Sequence, residues 1–375
     1  SAVKKRALLS LTLVLALTGC SALPYAHEID QTVLMGVLGV DAAPGGGLVL
    51  TAASAGRSGA GESPGQDPVV LSAQAETLSA ARTQMQTYGE QYVFYGDIEQ
   101  VLVGEGAARQ GLEDLLGQMV RDPELRLESN LWVIQGGSAA DSLFDAAQEG
   151  GAPGRLTALE QDAELLGAPL AKTAREALAE LLDNGCTLLP ALERREAEEG
   201  QGAQGDYVLA AAGYALFREG ALLDFTRGEE TLGTSLLLGR GHGRLLAFSD
   251  LDGGSVILRL TGVKTDLEPR FDRGALEGLT ITCRLETQVA EFQGWSGHLP
   301  EEERAALEET LARRGQRALR AALDLFQDLE ADCVRLGGRA ALAAPWHKEE
   351  LEAQWAAAFP TLDISLEVEG RVARG

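Results

Sequence analysis

Cys20 is the residue whose surroundings most clearly specify a chemical reaction. It follows the small residues Thr18 and Gly19 and an apolar run at 7–18, which is preceded by the basic residues 4–6. A basic start and an apolar core of about twelve residues are typical of a secretory signal peptide, whereas a membrane-spanning helix needs about twenty apolar residues. Small residues before the cysteine allow a peptidase to approach the backbone closely. The pattern predicts export of the chain and a cleavage site close to Cys20.

The segment Leu17-Thr18-Gly19-Cys20 is similar to a bacterial lipobox, in which a diacylglycerol is attached to the cysteine thiol. On this interpretation residues 1–19 are a lipoprotein signal peptide that is removed, and Cys20 becomes the first residue of the mature protein. Two acyl chains, at about 0.8 kcal/mol for each buried methylene, give stable membrane anchoring. The alternative is an ordinary secretory signal with a cysteine that is present by chance.

Charge limits the partners of the mature chain. The full chain has 32 basic and 56 acidic side chains and a net charge of −24. Three of the basic side chains lie in the signal peptide, so the mature chain carries about −27. Such a surface repels phosphate backbones and anionic lipids. We therefore expect no nucleic acid partner, and we expect the membrane to be held through the diacylglycerol on Cys20.

The remaining cysteines and the histidines match no metal or redox motif. Cys186, Cys283 and Cys333 are irregularly spaced, so neither a disulfide framework nor a CxxC pattern is predicted. Buried free thiols are the default expectation, and a bridge between one pair is left open. The four histidines are far apart in sequence and lack the HExxH spacing of a zinc site. We expect no metal site and no cofactor.

Two short segments approach functional motifs without completing them. Segment 239–244, GRGHGR, has Arg244 in the place of the third glycine of a dinucleotide-binding loop, and a turn is the better interpretation. Segment 294–298, GWSGH, has histidine where the nucleophile elbow GxSxG requires glycine, which argues against Ser296 as a nucleophile. We predict no catalytic residue, and the sequence does not identify ligand-binding residues.

Strands and helices are expected to alternate in the first half. An apolar run at 33–40 followed by turn residues predicts a strand, a turn and a second strand, and the segment 54–68, rich in glycine and serine, predicts a surface loop. Leucine spacing favours one helix over 105–120, and Gly185 follows another helix at 171–182. This alternation is typical of a sheet covered by helices.

Longer elements are expected in the second half. Alternating apolar residues at 279–292 predict a strand with one buried face. Pro300 and the acidic residues after it begin a long helix, which Gly337 and Gly338 are expected to end. Alternating apolar residues at 362–368 predict a terminal strand.

These elements predict an α+β, multi-domain fold of mixed sheets, each packed by helices, with a long helix and a terminal strand in the C-terminal half. The polar, glycine-bearing stretch at 194–205 is the best candidate for a boundary. The predicted domains are an N-terminal α/β domain at 20–199, as one unit or as two subdomains, and a C-terminal α+β domain at 206–375.

Several short segments occur in an order that matches one known family. They are 28–41 (EIDQTVLMGVLGVD), 75–81 (AETLSAA), 103–105 (VGE), 111–114 (GLED), 121–126 (RDPELR), 215–222 (ALFREGAL), 355–360 (WAAAFP) and 364–375. Together they resemble the C-subunit lipoproteins of bacterial spore germinant receptors, the Ger(x)C family. Residues 21–25 depart from the family, which usually has Trp-Asp after the lipidated cysteine, and Asp97 stands where many members have histidine.

The resemblance implies a non-enzymatic subunit, anchored by lipid at Cys20 on the outer face of the spore inner membrane. Its partners would be the integral-membrane A and B subunits of a receptor for nutrient germinants. The germinant, the stoichiometry and the contact faces are left open, and residues 54–68 and 121–126 are candidates for contact. A free-standing extracytoplasmic solute-binding lipoprotein is the alternative function.

Overall fold

The computed structural model describes residues 31–54, 68–89, 91–148, 151–197, 207–251, 254–293 and 301–373. Cys20, Ser296 and nearly all of the predicted loop at 54–68 lie outside the described residues.

Ten strands form the first sheet. In chain order they are β1 (Thr32–Ala42), β2 (Leu48–Ser54), β3 (Val70–Ala75), β4 (Tyr92–Phe94), β5 (Gln100–Gly104), β6 (Asn130–Gln135), β7 (Lys172–Thr173), β8 (Cys186–Glu196), β9 (Tyr207–Arg218) and β10 (Ala221–Phe225). Their order across the sheet is β10-β9-β8-β6-β5-β1-β2-β3, with β4 beside β1 and β7 beside β6. The central strands β1, β5, β6 and β8 are parallel, whereas the outer strands are added as antiparallel hairpins. Central parallel strands must be covered on both faces.

Helices cover both faces of this sheet. They are α1 (Leu78–Gln86), α2 (Glu105–Gln110), α3 (Glu113–Arg121), α4 (Ala139–Gln148), α5 (Ala152–Leu166) and α6 (Ala174–Asn184). Apolar residues of α1, α2, α3 and α6 form one core with the sheet, and those of α4 and α5 form another. Polar side chains fix the helix starts: both oxygens of the buried Asp41 carboxylate accept backbone N–H groups of α4, at 2.8 Å from Ala139 and Ala140.

A four-stranded sheet and four packing α-helices form the C-terminal half among the described residues of 226–373. Its elements are α7 (Gly228–Leu237), β11 (Leu245–Leu251), β12 (Gly254–Asp272), β13 (Ala275–Gln293), α8 (Glu301–Asp328), α9 (Leu336–Ala343), α10 (Lys348–Ala358) and β14 (Asp363–Val372). The strand order is β11-β12-β13-β14, and β14 is parallel to β13. The predicted α+β fold, with its long helix and terminal strand, is confirmed. Within the described part of the chain, no helix is long and apolar enough to cross a membrane.

Two helix boundaries differ from the sequence prediction. The helix expected at 105–120 is interrupted at Gly111, whose φ of 125° is incompatible with a helix. The long helix ends at Asp328, where the N–H of Ala331 donates to the carbonyl of Phe326 at 2.9 Å and Glu330 adopts a left-handed φ of 51°. Gly337 therefore does not end α8.

Gly337 instead permits close packing of α9 against α10. A Cβ atom at this position would lie 2.6 Å from the ring of Trp355 in α10. Both Gly337 and Gly338 are inside α9. The glycine pair reflects a tertiary contact, which a helix-ending rule applied to the sequence alone cannot distinguish from a cap.

Strand pairing crosses the predicted domain boundary. The segment 200–205 separates β8 from β9, and these two strands pair over most of their length, from Cys186 opposite Arg218 to Glu196 opposite Tyr207. Strand β10 then pairs with β9. Residues 207–225 thus belong to the first sheet, and the division of the chain into domains at 20–199 and 206–375 stays a prediction.

Helix α7 is buried because its backbone packs directly on α8. A Cβ atom at Gly233 would lie 1.9 Å from the carbonyl oxygen of Ala318 and 2.9 Å from Cβ of Ala322. The residues of α7 from Thr231 to Leu237 are all buried. Only glycine allows this approach at position 233.

Alanine substitution should therefore change the free energy of unfolding differently at two helical glycines. Gly233→Ala should lower the free energy of unfolding by about 2–3 kcal/mol, because the added methyl group overpacks the contact with α8. Gly154→Ala, in α5, meets no atom within 4 Å and should be neutral or raise it by up to about 1 kcal/mol through helix propensity. Urea unfolding measures both. Equal effects of the two substitutions would contradict the packing argument.

Candidate functional site: the junction between the two halves

The β8–β9 ribbon is the wall shared by the two halves of the molecule. Side chains alternate along both strands, so successive residues face opposite sides. Cys186, Leu188, Tyr214 and Leu216 join the core of the C-terminal half, whereas Leu189, Ala191, Ala215 and Phe217 join the core beneath α1, α3 and α6. Because both faces of the ribbon are buried in apolar cores, the two halves are packed through a common element.

A second contact of the junction joins the end of α5 to the start of β11. Gly167, with φ 61°, ends α5, and a Cβ atom there would lie 2.4 Å from Cβ of Arg244. A Cβ atom at Gly243, with φ 85°, would lie 2.2 Å from the carbonyl oxygen of Leu165. Both conformations favour glycine, and both positions lack room for a side chain. The two glycines allow the backbones to approach closely.

This contact forms the floor of an open cleft, here called the α5–β11 cleft. Its volume is about 480 Å³, within the range of small-molecule sites, and it is lined by residues of α5, β9, α7, β11 and β12. Three leucines at its rim are exposed: Leu165 by 68%, Leu166 by 64% and Leu245 by 54%. The cleft combines an apolar rim with polar groups inside.

Two arginines supply the charge of the α5–β11 cleft. Arg244 and Arg259 both line it, and no described carboxylate lies within ion-pair distance of either, although Glu229 attracts Arg244 electrostatically from farther away. Burial lowers the pKa of the Arg244 guanidinium from its usual value, although it remains a cation. Guanidinium groups present planar donors that match carboxylate and phosphate oxygens. The cleft is therefore suited to an anionic group.

A second cleft of the junction, here called the α6–α9 cleft, lies between helices α6 and α9. Its volume is about 360 Å³, and its lining includes Lys172, Asp183, Arg335, Arg339 and Cys333. Burial lowers the pKa of Lys172, whose ammonium group donates to Glu180 at 2.5 Å. Arg335 forms an ion pair with Asp183, which joins α9 to α6.

A buried carboxylate organises the chain beside the α6–α9 cleft. Asp332 accepts hydrogen bonds from the N–H groups of Leu336 and Gly337 at 2.8 and 2.9 Å and from Nε1 of Trp355 at 3.0 Å. It thereby fixes the start of α9 and holds α10 against it. Burial raises the pKa of Asp332 above its usual value, and the three donors act against that increase.

The charged segment 121–126 folds back onto α1. Asp122 and Glu124 both form ion pairs with Arg82, whose guanidinium lies 4.3 Å from the centre of the Tyr95 ring. Burial raises the pKa of Tyr95 to about 12. Because Asp122 also accepts the N–H of Glu124 at 3.0 Å, the segment is a turn fixed by local ion pairs.

The other candidates from the sequence have separate positions. Segment 239–244 is a turn after α7, and Nδ1 of His242 lies 3.0 Å from the carbonyl of Thr261. His347 stacks on Phe271. Cys283 is buried, and the hydroxyl of Thr265 donates to its sulfur at 3.5 Å. No group of three or more possible metal ligands occurs in the described ranges.

The sequence does not indicate that Arg244 lines a cleft, and it leaves open which two cysteines lie close together, whereas the structure places Cys333 next to Cys186. In the sequence, Arg244 is notable only because it occupies the position of a motif glycine. Its neighbours at 165–167 are far away in sequence, and no periodic pattern links the two segments. The contact becomes visible only when the chain is folded.

Comparisons with known proteins assign the fold and the family. The model of the spore germination protein N-terminal domain matches residues 25–194, and the model described as spore germination B3/GerAC-like, C-terminal, matches residues 212–375. A crystal structure of the GerBC protein is similar, with a TM-score of 0.58 and 16% identity over 90% of this chain and 97% of that chain. A comparison with curated protein sequences gives no match.

The raised pKa of Asp332 predicts a specific pH dependence of stability. The unfolded chain releases this proton near the usual pKa of 3.8, whereas the folded chain retains it to higher pH. Wild-type stability relative to Asp332→Asn should therefore fall as the pH rises from about 4 through the raised pKa, by at most about 1.4 kcal/mol per pH unit, and then level off. Urea unfolding at pH 4–8 measures the difference.

Two further variants control this measurement. Asp41→Asn should show the same sign, because burial also raises the pKa of Asp41, and Asp97→Asn reports the background effect of removing an exposed carboxyl group. If the stability of the wild type relative to Asp332→Asn instead rises with pH, the prediction is wrong. The three hydrogen-bond donors would then lower the pKa of Asp332 by more than burial raises it.

Proposed function

Since the chain belongs to the Ger(x)C family of spore germination proteins, we propose that it is the lipid-anchored, non-enzymatic C subunit of a receptor for nutrient germinants in bacterial spores. The observation that carries this proposal is the match of two successive family domains, the N-terminal one at 25–194 and the C-terminal one at 212–375. The similarity to GerBC in fold agrees with it.

Membrane attachment through Cys20 is the first part of the proposal. The lipobox-like segment 17–20 offers a thiol for a diacylglycerol, and two acyl chains suffice for stable anchoring. A net charge of −24 gives the protein no electrostatic attraction to anionic lipid. The lipid would hold the described residues at the outer face of the spore inner membrane.

The partners in this proposal are the integral-membrane A and B subunits. Within the segment 121–126, Asp122 and Glu124 are occupied by Arg82, while Arg121 and Arg126 have exposed side chains. A fixed turn that displays two arginines on an acidic protein is suited to contact an acidic partner surface. Together with residues 54–68, most of which lie outside the described ranges, these arginines are the proposed contact points.

A non-enzymatic role agrees with the structural contacts that several buried or partly buried charged side chains make. The buried carboxylates Asp41 and Asp332 cap helices, and Glu180 pairs with Lys172. A carboxylate used for capping accepts backbone N–H groups and is not free to transfer a proton to a substrate. We therefore propose that the subunit acts by binding and positioning.

The α5–β11 cleft favours a second function, that of an extracytoplasmic solute-binding lipoprotein. The specific observation is the pair of cleft-lining arginines, Arg244 and Arg259, which lack ion-pair partners among the described residues. A carboxylate or phosphate of a small solute would be a suitable ion-pair partner for these two arginines. This function would require no A or B subunit.

Loss of the anchor provides the test of the first function. Cys20→Ala should move the protein from the membrane fraction to the soluble fraction and reduce the response of spores to at least one nutrient germinant, because the acyl chains supply the attachment. Fractionation with immunoblotting and the loss of optical density during germination measure the two effects. Cys283→Ser, which removes a cysteine far from the lipobox, is the matched control. Normal germination with a released protein would contradict the proposal.

Ligand-induced stabilisation provides the test of the second function. If the cleft binds an anionic solute, amino acids or inorganic phosphate at 100 times their Kd should stabilise the purified protein by about 2.7 kcal/mol. Arg244→Gln should abolish this stabilisation. Arg273→Gln, which changes a side chain that is 93% exposed in the β12–β13 turn, should retain it. Absence of stabilisation by every compound would remove the solute-binding function and leave the receptor function intact.

A further inference from the structure

Cys186 and Cys333 are neighbours in the folded chain although they are far apart in sequence. Cys186 is the first residue of β8, and Cys333 follows α8 in the C-terminal half. Both belong to the core that joins the two halves, and the Sγ atom of Cys333 lies 3.6 Å from the carbonyl oxygen of Phe217, in the strand that pairs with β8 beside Cys186. The two cysteines therefore lie next to each other across the junction.

Local hydrogen bonds hold the two cysteines in place. The side chain of Asn184 accepts the N–H of Cys186 and donates to the carbonyl of Asp332, each at 3.1 Å. The thiol of Cys333 lies 3.6 Å from the carbonyl of Phe217, in the strand that pairs with β8. Asp332, next to Cys333, is itself fixed by the start of α9. The backbones on both sides are thus positioned by contacts that do not depend on the sulfur atoms.

We propose that Cys186 and Cys333 form a disulfide bond that covalently joins the first sheet to the C-terminal half. Cys186 lies opposite Arg218, and the Cys333 sulfur contacts the carbonyl of the adjacent Phe217, so a local adjustment of the two side chains would bring the sulfurs to the S–S bond length of about 2.05 Å. The bond closes a long loop, from β8 through α8, and long loops gain most from cross-linking. Disulfides are stable in oxidising compartments outside the cytoplasm, which agrees with export of the chain.

The α6–α9 cleft reaches one member of this pair, Cys333. Only 2% of the surface of Cys333 is exposed, and Lys172 and Arg339 line the cleft as well. The interaction with Cys333 lowers the pKa of the Cys186 thiol, and the same interaction together with burial raises the pKa of the Cys333 thiol. Cationic neighbours and a lowered pKa favour the thiolate, which is the reactive form.

The reaction is a thiol–disulfide exchange with a small disulfide such as oxidised glutathione. Cys333, which lines the α6–α9 cleft, loses its proton to solvent, attacks one sulfur of the reagent and forms a mixed disulfide, which releases one glutathione thiolate. The Cys186 thiolate then attacks the Cys333 sulfur and releases the second glutathione thiolate. The two cysteines are oxidised by two electrons, and the reagent is reduced to two thiols.

Cys283 is the internal control for this inference. It is also buried, but its described polar neighbour is the hydroxyl of Thr265, and burial raises the pKa of its thiol. Burial alone therefore does not distinguish the three cysteines. Proximity of a second thiol does.

Oxidation of the full chain carrying Cys20→Ala tests the proposal, because only three cysteines then remain. Incubation with oxidised glutathione should reduce the thiol count from three to one, and mass spectrometry of a nonreduced digest should identify a peptide that links Cys186 to Cys333. The Tm should rise by several degrees and return after treatment with dithiothreitol. Cys283→Ser should behave in the same way, with a final thiol count of zero.

Variants of the pair complete the experiment. Cys186→Ser and Cys333→Ser should each abolish the intramolecular cross-link and the redox-dependent change in Tm. If either variant fails to fold, the peptide map of the Cys20→Ala chain still decides the question. Three unreacted thiols after oxidation, or a cross-link that includes Cys283, would overturn the proposal.

Discussion

The burial of both faces of the β8–β9 ribbon is the constraint on which the rest of the structure depends. A strand with one solvated face can belong to a single domain, whereas this ribbon places alternate side chains in two different cores. Leu188 and Leu216 face the C-terminal half, and Leu189 and Ala215 face the helices of the first sheet. Neither half can leave the ribbon without exposing apolar surface to water.

The features of functional interest follow from this shared wall. Where the end of α5 approaches β11, Gly167 and Gly243 leave room for the two backbones, and Arg244 lines the open cleft above them. The same packing brings Cys333 to Cys186 at the start of β8. A junction packed on both faces would suit the proposed receptor subunit, because it keeps the surfaces of the two halves in a fixed relative position for partners to bind.

Much of the fold could be predicted from local patterns. The alternation of strands and helices, the buried leucine stripe of α8 and the alternating strand β14 were all recognisable, because apolar periodicity records which face of an element is buried. Prediction was wrong where a glycine served packing. Gly337 allows α9 to contact Trp355 and ends no helix. Helix α7 has no amphipathic pattern in its sequence, because its residues from Thr231 to Leu237 are buried on every side.

The sequence by itself determined the predicted export signal and lipid attachment at Cys20, the acidic character of the chain and the order of family segments. These are properties of residues that are adjacent or periodic along the chain. Only the tertiary structure decided that β9 and β10 complete the first sheet, that Arg244 lies in a cleft and that Cys186 meets Cys333 while Cys283 does not. The physical reason is that such contacts join residues far apart in sequence, and their free energy depends on how whole elements pack.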